Sequence, residues 1–237
     1  MVSPLKRQRD ALLAKQLAGE TPQAATVNTD SLHIKLVEFE EDRKGLKAFN
    51  AIADKVAHKR TVLIPKYKPL AEAYLAAGEQ YQNPIFSSLI VWLFDTDDLD
   101  TAIDWCFKAI ELDLPTPEFI KSDWPSFCAR FVLEWAERNA ERGHSVEPYF
   151  SQVFEKVCND WRLHEERKAR WFKFAGLHLL RDENGKPRAT AVGDLDTLQK
   201  AKTLLTTADE LYSKVGVGTQ LSKIDMRINA LTNGKNL

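Results

Sequence analysis

The chain has 237 residues, 44% of them hydrophobic and including 6 Trp and 12 Phe, which supplies a real core and excludes disorder along the whole length. Its 33 Lys and Arg against 34 Asp and Glu give a net charge of −1, so the total does not mark it as a partner of polyanions. The first twenty residues, MVSPLKRQRDALLAKQLAGE, are punctuated by charge unlike a signal peptide, and no later run approaches the ~20 apolar residues of a membrane span, so a soluble cytoplasmic protein is expected.

Periodicity predicts helices nearly everywhere and no alternating strand. A short basic helix is expected over 4–17, closed by Gly19, followed by the polar linker ETPQAATVNT. A long helix is expected over 31–60, with Asp30 or Ser31 as N-cap and a rod length of roughly 45 Å. Its apolar stripe, Leu32, Leu36, Phe39, Leu46, Phe49, Ala53 and Val56, is interrupted by Arg43 and fits either a seam with another chain or a core face. After Pro65 the pattern predicts helices over 66–78, 84–94, 98–112, 125–142, 146–158 and 161–181. A loop follows over 182–193, then helices over 194–214 and 219–232. PIFSSLIVWLF and DLDTAIDWCFKAIEL read as a helical hairpin across DTDD, with Asp98 or Asp95 capping its second helix. No fixed repeat period emerges. The expected fold is all-α: an irregular stack of helical hairpins, partly helical-repeat-like, behind a long N-terminal helix. Two parts are expected, 1–64 as a basic arm and long helix, and 65–237 as a hairpin domain, acidic to about residue 160.

Motifs for chemistry are sparse. GVGT at 216–219 lacks the Lys and the preceding strand of a phosphate-gripping loop and reads as a helix stop. Cys106, Cys128 and Cys158 are too widely spaced for a zinc or disulfide set and read as small apolar residues. His33, His58, His144, His164 and His178 form no ligand pair at one-turn spacing. The carboxylates of DTDDLD, residues 95–100, fit helix capping better than a two-metal nuclease site. No cofactor, metal or catalytic set is expected, and the isolated chain reads as a binder rather than an enzyme.

Charge is unevenly divided. Residues 1–94 carry 13 basic and 10 acidic side chains, residues 95–160 carry 6 and 15, and residues 161–237 carry 14 and 9. The segments therefore net +3, −9 and +5, which draws a polyanion to the ends and repels it from the middle. From Lys55 to Ala71 there is no carboxylate beside Lys55, Lys59, Arg60, Lys66 and Lys68. Lys66 and Lys68 are expected to open a helix, where the dipole disfavours them, so phosphate contact is the expected reason for their presence, with Tyr67 packing on sugar or base. Lys6, Arg7, Arg9 and Lys15 form a second basic arm. A third cluster, Arg162, Arg167, Lys168, Arg170 and Lys173, lies among Trp161, Trp171 and Phe172, where internal pairing competes with DNA contact.

The succession AHKRTVLIPKYKP, PIFSSLIVWLFDTDDLDTAIDWCFKAIELDLPTP and LEWAERNAERGHSVEP resembles the small terminase subunit of P2-like temperate tailed phages. The likeness covers about residues 25–160. Its strongest element is an L-D-T-x-D turn, here Phe94, Asp95, Thr96, Asp97 and Asp98, with Phe in place of Leu. The resemblance implies a ring-like homo-oligomer that binds the packaging site on double-stranded viral DNA. It also implies presentation of that DNA, in the cytoplasm of the bacterial host, to a large subunit holding the ATPase and nuclease. The family often carries an endonuclease label. Lys55, Lys59, Arg60, Lys66, Lys68, Arg7 and Arg9 are then the expected DNA contacts. The alternatives are a helical protein-interaction scaffold without DNA contact and a metal-dependent endonuclease using the DTDDLD carboxylates.

Overall fold

The computed structural model describes residues 32–78, 81–182 and 184–234. The basic helix expected over 4–17, the caps Asp30 and Ser31, and Arg7 and Arg9 lie outside them. The described residues are helical with no strand beyond one isolated bridge, Arg181 to Pro187, so the all-α expectation holds. The chain divides into two units, residues 1–55 and 56–237.

In the first unit α1 spans Leu32–Gly45 and passes into a 3-10 turn, Leu46–Ala48. Glu40 with Arg43 and Glu41 with Lys44 pair three residues apart along α1. The expected unbroken helix to residue 60 is not what forms. Gly45 is a poor helix former, the 3-10 turn tightens behind it, and Phe49 leaves the helical region at φ −78°, ψ 126°.

Helix resumes as α2, Ile52–His58, and the expected stop at Pro65 is also absent. A π turn, Lys59–Leu63, joins α2 to α3, Ile64–Ala77, with the Ile64 N–H bonding back to the Lys59 carbonyl. A proline has no N–H and its ring collides with the carbonyl four residues earlier, here Thr61. The wider turn opens the ladder at that place and lets the helix pass through Pro65. Gly78, at φ 65°, ends α3 with its N–H on the Leu75 carbonyl.

Helix α4, Pro84–Asp95, is the centre of the second unit: every residue from Ile85 to Phe94 is buried. Asn83 caps it, its side-chain oxygen accepting from the Ile85 and Phe86 amides, and Pro84 occupies the first turn where no N–H is needed. Around it lie α3, α5 (Leu99–Glu111) and α6 (Trp124–Glu141). Phe86 meets Tyr74 of α3 and Trp105 of α5, and Phe94 meets Phe127 and Phe131 of α6. Cys106 and Cys128 are buried here as expected, and Cys158 is half-buried.

Helices α7 (Tyr149–Asn159) and α8 (Glu165–His178) pack on α6, and Phe150 stacks on Trp171. A second core forms where α8 meets α9 (Leu195–Leu211) and α10 (Gly218–Thr232), around Leu180, Leu198, Leu205 and Ile224. Asp194 caps α9 by accepting from the Thr197 amide at 2.8 Å. Helices α8 and α9 approach closely at Gly176, where a β-carbon would lie 2.8 Å from Leu205 Cγ and 3.1 Å from the Ala201 carbonyl oxygen. Gly176→Val is therefore expected to destabilise the protein by about 1–3 kcal/mol through overpacking, read as a lowered urea midpoint with an unchanged slope.

Candidate nucleic-acid interface

The carboxylate-free stretch from Lys55 to Lys68 lies on α2, the π turn and α3. Because the helix runs through Pro65, Lys66 and Lys68 do not stand at a free N-terminus. The dipole penalty expected for them is absent, and with it that argument for an outside anion.

Lys59 is the clearest departure from expectation. Its Nζ lies 2.6 Å from Asp95 Oδ2, with the two side chains 15% and 28% exposed, so this cation is neutralised within the fold. Arg60 extends to the same turn, donating from Nη2 to the Thr96 carbonyl at 2.6 Å. That carbonyl is neutral, and Arg60 stays exposed with its charge uncompensated by it. Lys66 is exposed and sits 5.1 Å from the centre of the Tyr67 ring. Tyr67 itself is fully buried, which corrects its expected role as a platform for sugar or base. Lys68 in the second unit and Lys55 in the first are half-buried, consistent with apolar stems laid on the protein.

The third cluster turns inward. Arg167 donates to the Ser126 carbonyl, Lys168 to the Cys158 carbonyl, and Lys173 to the Val215 carbonyl, while Arg170 pairs with Glu137. Trp161 and Trp171 are buried.

The acidic turn DTDDLD is taken apart by its local geometry. Asp95 holds Lys59, Asp98 caps α5 by accepting from the Thr101 amide, and Asp97 takes the left-handed conformation at φ 57°. Asp100 faces Tyr149, whose phenol is pushed above its ordinary value by burial and then by its hydrogen bond to Asp100. No group of three His, Cys, Asp or Glu among the described residues is placed to hold a metal ion. The partners sequence reasoning missed are Asp95 and the Thr96 carbonyl, 36 residues from the cations they engage. Nothing local signals such a pairing.

The structure thus defines an all-helical protein whose distinctive surfaces are charged helix flanks. The family model described as phage small terminase subunit matches residues 36–166, more than half of the chain. A protein of Haemophilus phage HP1 (strain HP1c1) named "Probable terminase, endonuclease subunit" is 36% identical over 229 residues, covering 95% of this chain and 82% of that protein. "Terminase, endonuclease subunit" of Escherichia phage P2 is 27% identical over 229 residues, covering 96% and 86%. This chain belongs to the phage small terminase subunit family. No solved structure matches it significantly.

The part-buried Lys59–Asp95 pair should be worth more than an exposed ion pair and less than a fully buried one. Asp95→Ala is expected to cost about 1–2 kcal/mol. The Lys59→Met/Asp95→Ala double variant should recover part of that loss, measured as a coupling energy in urea melts.

Proposed function

We propose that this chain is the DNA-recognition subunit of a phage terminase. It binds the packaging site on double-stranded viral DNA and presents it to the large subunit that translocates and cuts, in the cytoplasm of the bacterial host. The observation that carries this reading is family membership across residues 36–166. The flank of the Lys55–Lys68 stretch is its best-supported contact surface. Arg60 and Lys66 are exposed, Lys68 and Lys55 are half-exposed, and the sequence between them supplies no carboxylate. Each phosphate such a side chain neutralises releases counterions, and repetition over the copies of a ring-like homo-oligomer would sum weak contacts through effective concentration. Lys59 shapes this surface rather than touching DNA, because Asp95 already holds it. Arg7 and Arg9, outside the described residues, are proposed as further DNA contacts on the strength of their charge alone.

Both relatives carry the word endonuclease in their names. In the proposed reading that word belongs to the cleaving complex. The support is that two of the DTDDLD carboxylates, Asp95 and Asp98, already hold Lys59 and cap α5. The chain incubated alone with packaging-site DNA and magnesium is expected to leave the DNA intact. Nicking that disappears in Asp95→Ala/Asp97→Ala would restore the nuclease reading.

The DNA reading is tested by fluorescence anisotropy on packaging-site duplex over a salt series. Binding should weaken steeply as salt rises. Lys66→Ala/Lys68→Ala should flatten the slope of log K against log salt by about 2, roughly one for each phosphate no longer neutralised. Absence of binding at about 50 mM salt, where attraction to phosphates is strongest, would leave the scaffold reading in its place.

A further inference from the structure

A groove runs between α6 and α8. One end is lined by Arg130, Glu134, Arg167 and Arg170 over Leu133 and Trp171, and encloses about 380 Å³. The other end shares Glu166 and Arg170 with it, encloses about 370 Å³, and passes Lys173, Arg181 and Lys214 over Phe174 and Tyr212.

Six cations face four carboxylates along this path, the acids being Glu134, Glu137, Glu141 and Glu166. The imbalance is larger in effect than the count. Arg170 pairs with Glu137, and Arg130 reaches Glu134 only at 3.9 Å. Arg167 and Lys173 donate to the carbonyls of Ser126 and Val215, and Arg181 to those of Ala140 and Gly185. A carbonyl satisfies a donor without cancelling its charge, so the groove keeps a positive potential over an apolar floor.

The complementary surface is present on the same chain. Asp97, Asp100 and Asp104 are exposed along the start of α5, in the segment that nets −9. Asp100 and Asp104 stand one helical turn apart, as do Arg167, Arg170 and Lys173 on α8, so over its first two turns α5 laid along the groove meets cations with carboxylates, before the exposed Lys108. The interleaved glutamates oppose a phosphate backbone, whose charge is of one sign throughout, and suit a helix flank that carries separate carboxylates.

We propose that the acidic flank of α5 in one copy of this chain seats in the α6–α8 groove of a second copy. The proposal rests on the packaging reading only in giving its oligomer a contact, and it is read without DNA. Sedimentation velocity compares the wild-type chain with a groove variant, Arg170→Glu/Lys214→Glu, and a flank variant, Asp100→Lys/Asp104→Lys. Each variant presents like charge on both surfaces and is expected to be monomeric where the wild type associates. An equimolar mixture restores opposite charge at every contact and is expected to restore association. Wild-type association should also weaken as salt rises from about 0.05 to 0.5 M.

A monomeric wild type at about 50 µM, a concentration well above that needed for a functional µM contact, overturns the proposal. So do variants that associate like the wild type, or a mixture that stays monomeric although both variants retain wild-type helical circular dichroism and cooperative melting. If a charge reversal impairs folding, Arg170→Gln and Asp104→Asn take its place. Each is then expected to weaken self-association at least threefold, and unchanged association in both overturns the proposal. DNA binding measured on the same samples separates the two readings: its loss in an associating wild type sinks the packaging function alone.

Discussion

Helix α4 is apolar on every side, and a helix of that kind is stable only when it is enclosed. Enclosure then imposes a second condition at its ends, because the last carbonyls of a buried helix have no water to accept from. Thr96 meets part of that condition itself, its hydroxyl donating to the Trp92 and Leu93 carbonyls. The Thr96 carbonyl is met by Arg60, and the adjacent Asp95 by Lys59. Part of the basic stretch is therefore recruited by the core it borders. It is present because α4 has to end somewhere, before any partner is considered.

The route by which those cations arrive depends on Pro65. In an ordinary α-helix a proline there would remove a ladder hydrogen bond and press its ring on the Thr61 carbonyl, kinking the helix or ending it. The π turn avoids that outcome and carries the helix from Ile52 to Ala77 without a free end, which is why Lys66 and Lys68 meet no dipole penalty. A wide turn at this place also adds a residue per turn, which rotates Lys59 and Arg60 relative to the side chains that follow.

Helix existence is legible along most of the chain because the apolar spacing, the caps and the prolines agree. Asn83-Pro84, Asp98, Asp123 and Asp194 are all found at the helix starts their chemistry indicates. Two interruptions mislead for the same reason. Gly45 lies inside an apolar pattern that runs on past it, and Pro65 reads as a stop, whereas the outcome at each follows the 3-10 and π turns the backbone adopts there. The charge pairing is illegible for a different reason: Lys59 and Asp95 are separated by 36 residues, and only the packing of α3 against α4 brings them together. Tyr67 shows the complementary error, since an aromatic flanked by lysines looks surface-bound in sequence, while the helical phase puts the ring inside and leaves Lys66 exposed and Lys68 half-exposed.

These pairings also change what the segment charges mean. A net of +3 or +5 over a segment treats each cation as equally available, but the fold sorts them into three kinds. Lys59 is matched by a carboxylate, Arg60, Arg167 and Lys173 are satisfied by carbonyls, and Lys214 and Arg162 stand exposed with neither kind of partner among the described residues. Only the first kind loses its field. The second kind is held by its carbonyl and still charged, which pre-organises an electrostatic surface, because less side-chain entropy remains to be lost when an anion arrives. An ordinary mobile lysine loses that entropy on binding. The cations held by carbonyls are thus the ones best suited to fix the geometry of a contact, while the freely exposed ones mainly set how fast an oppositely charged partner is drawn in.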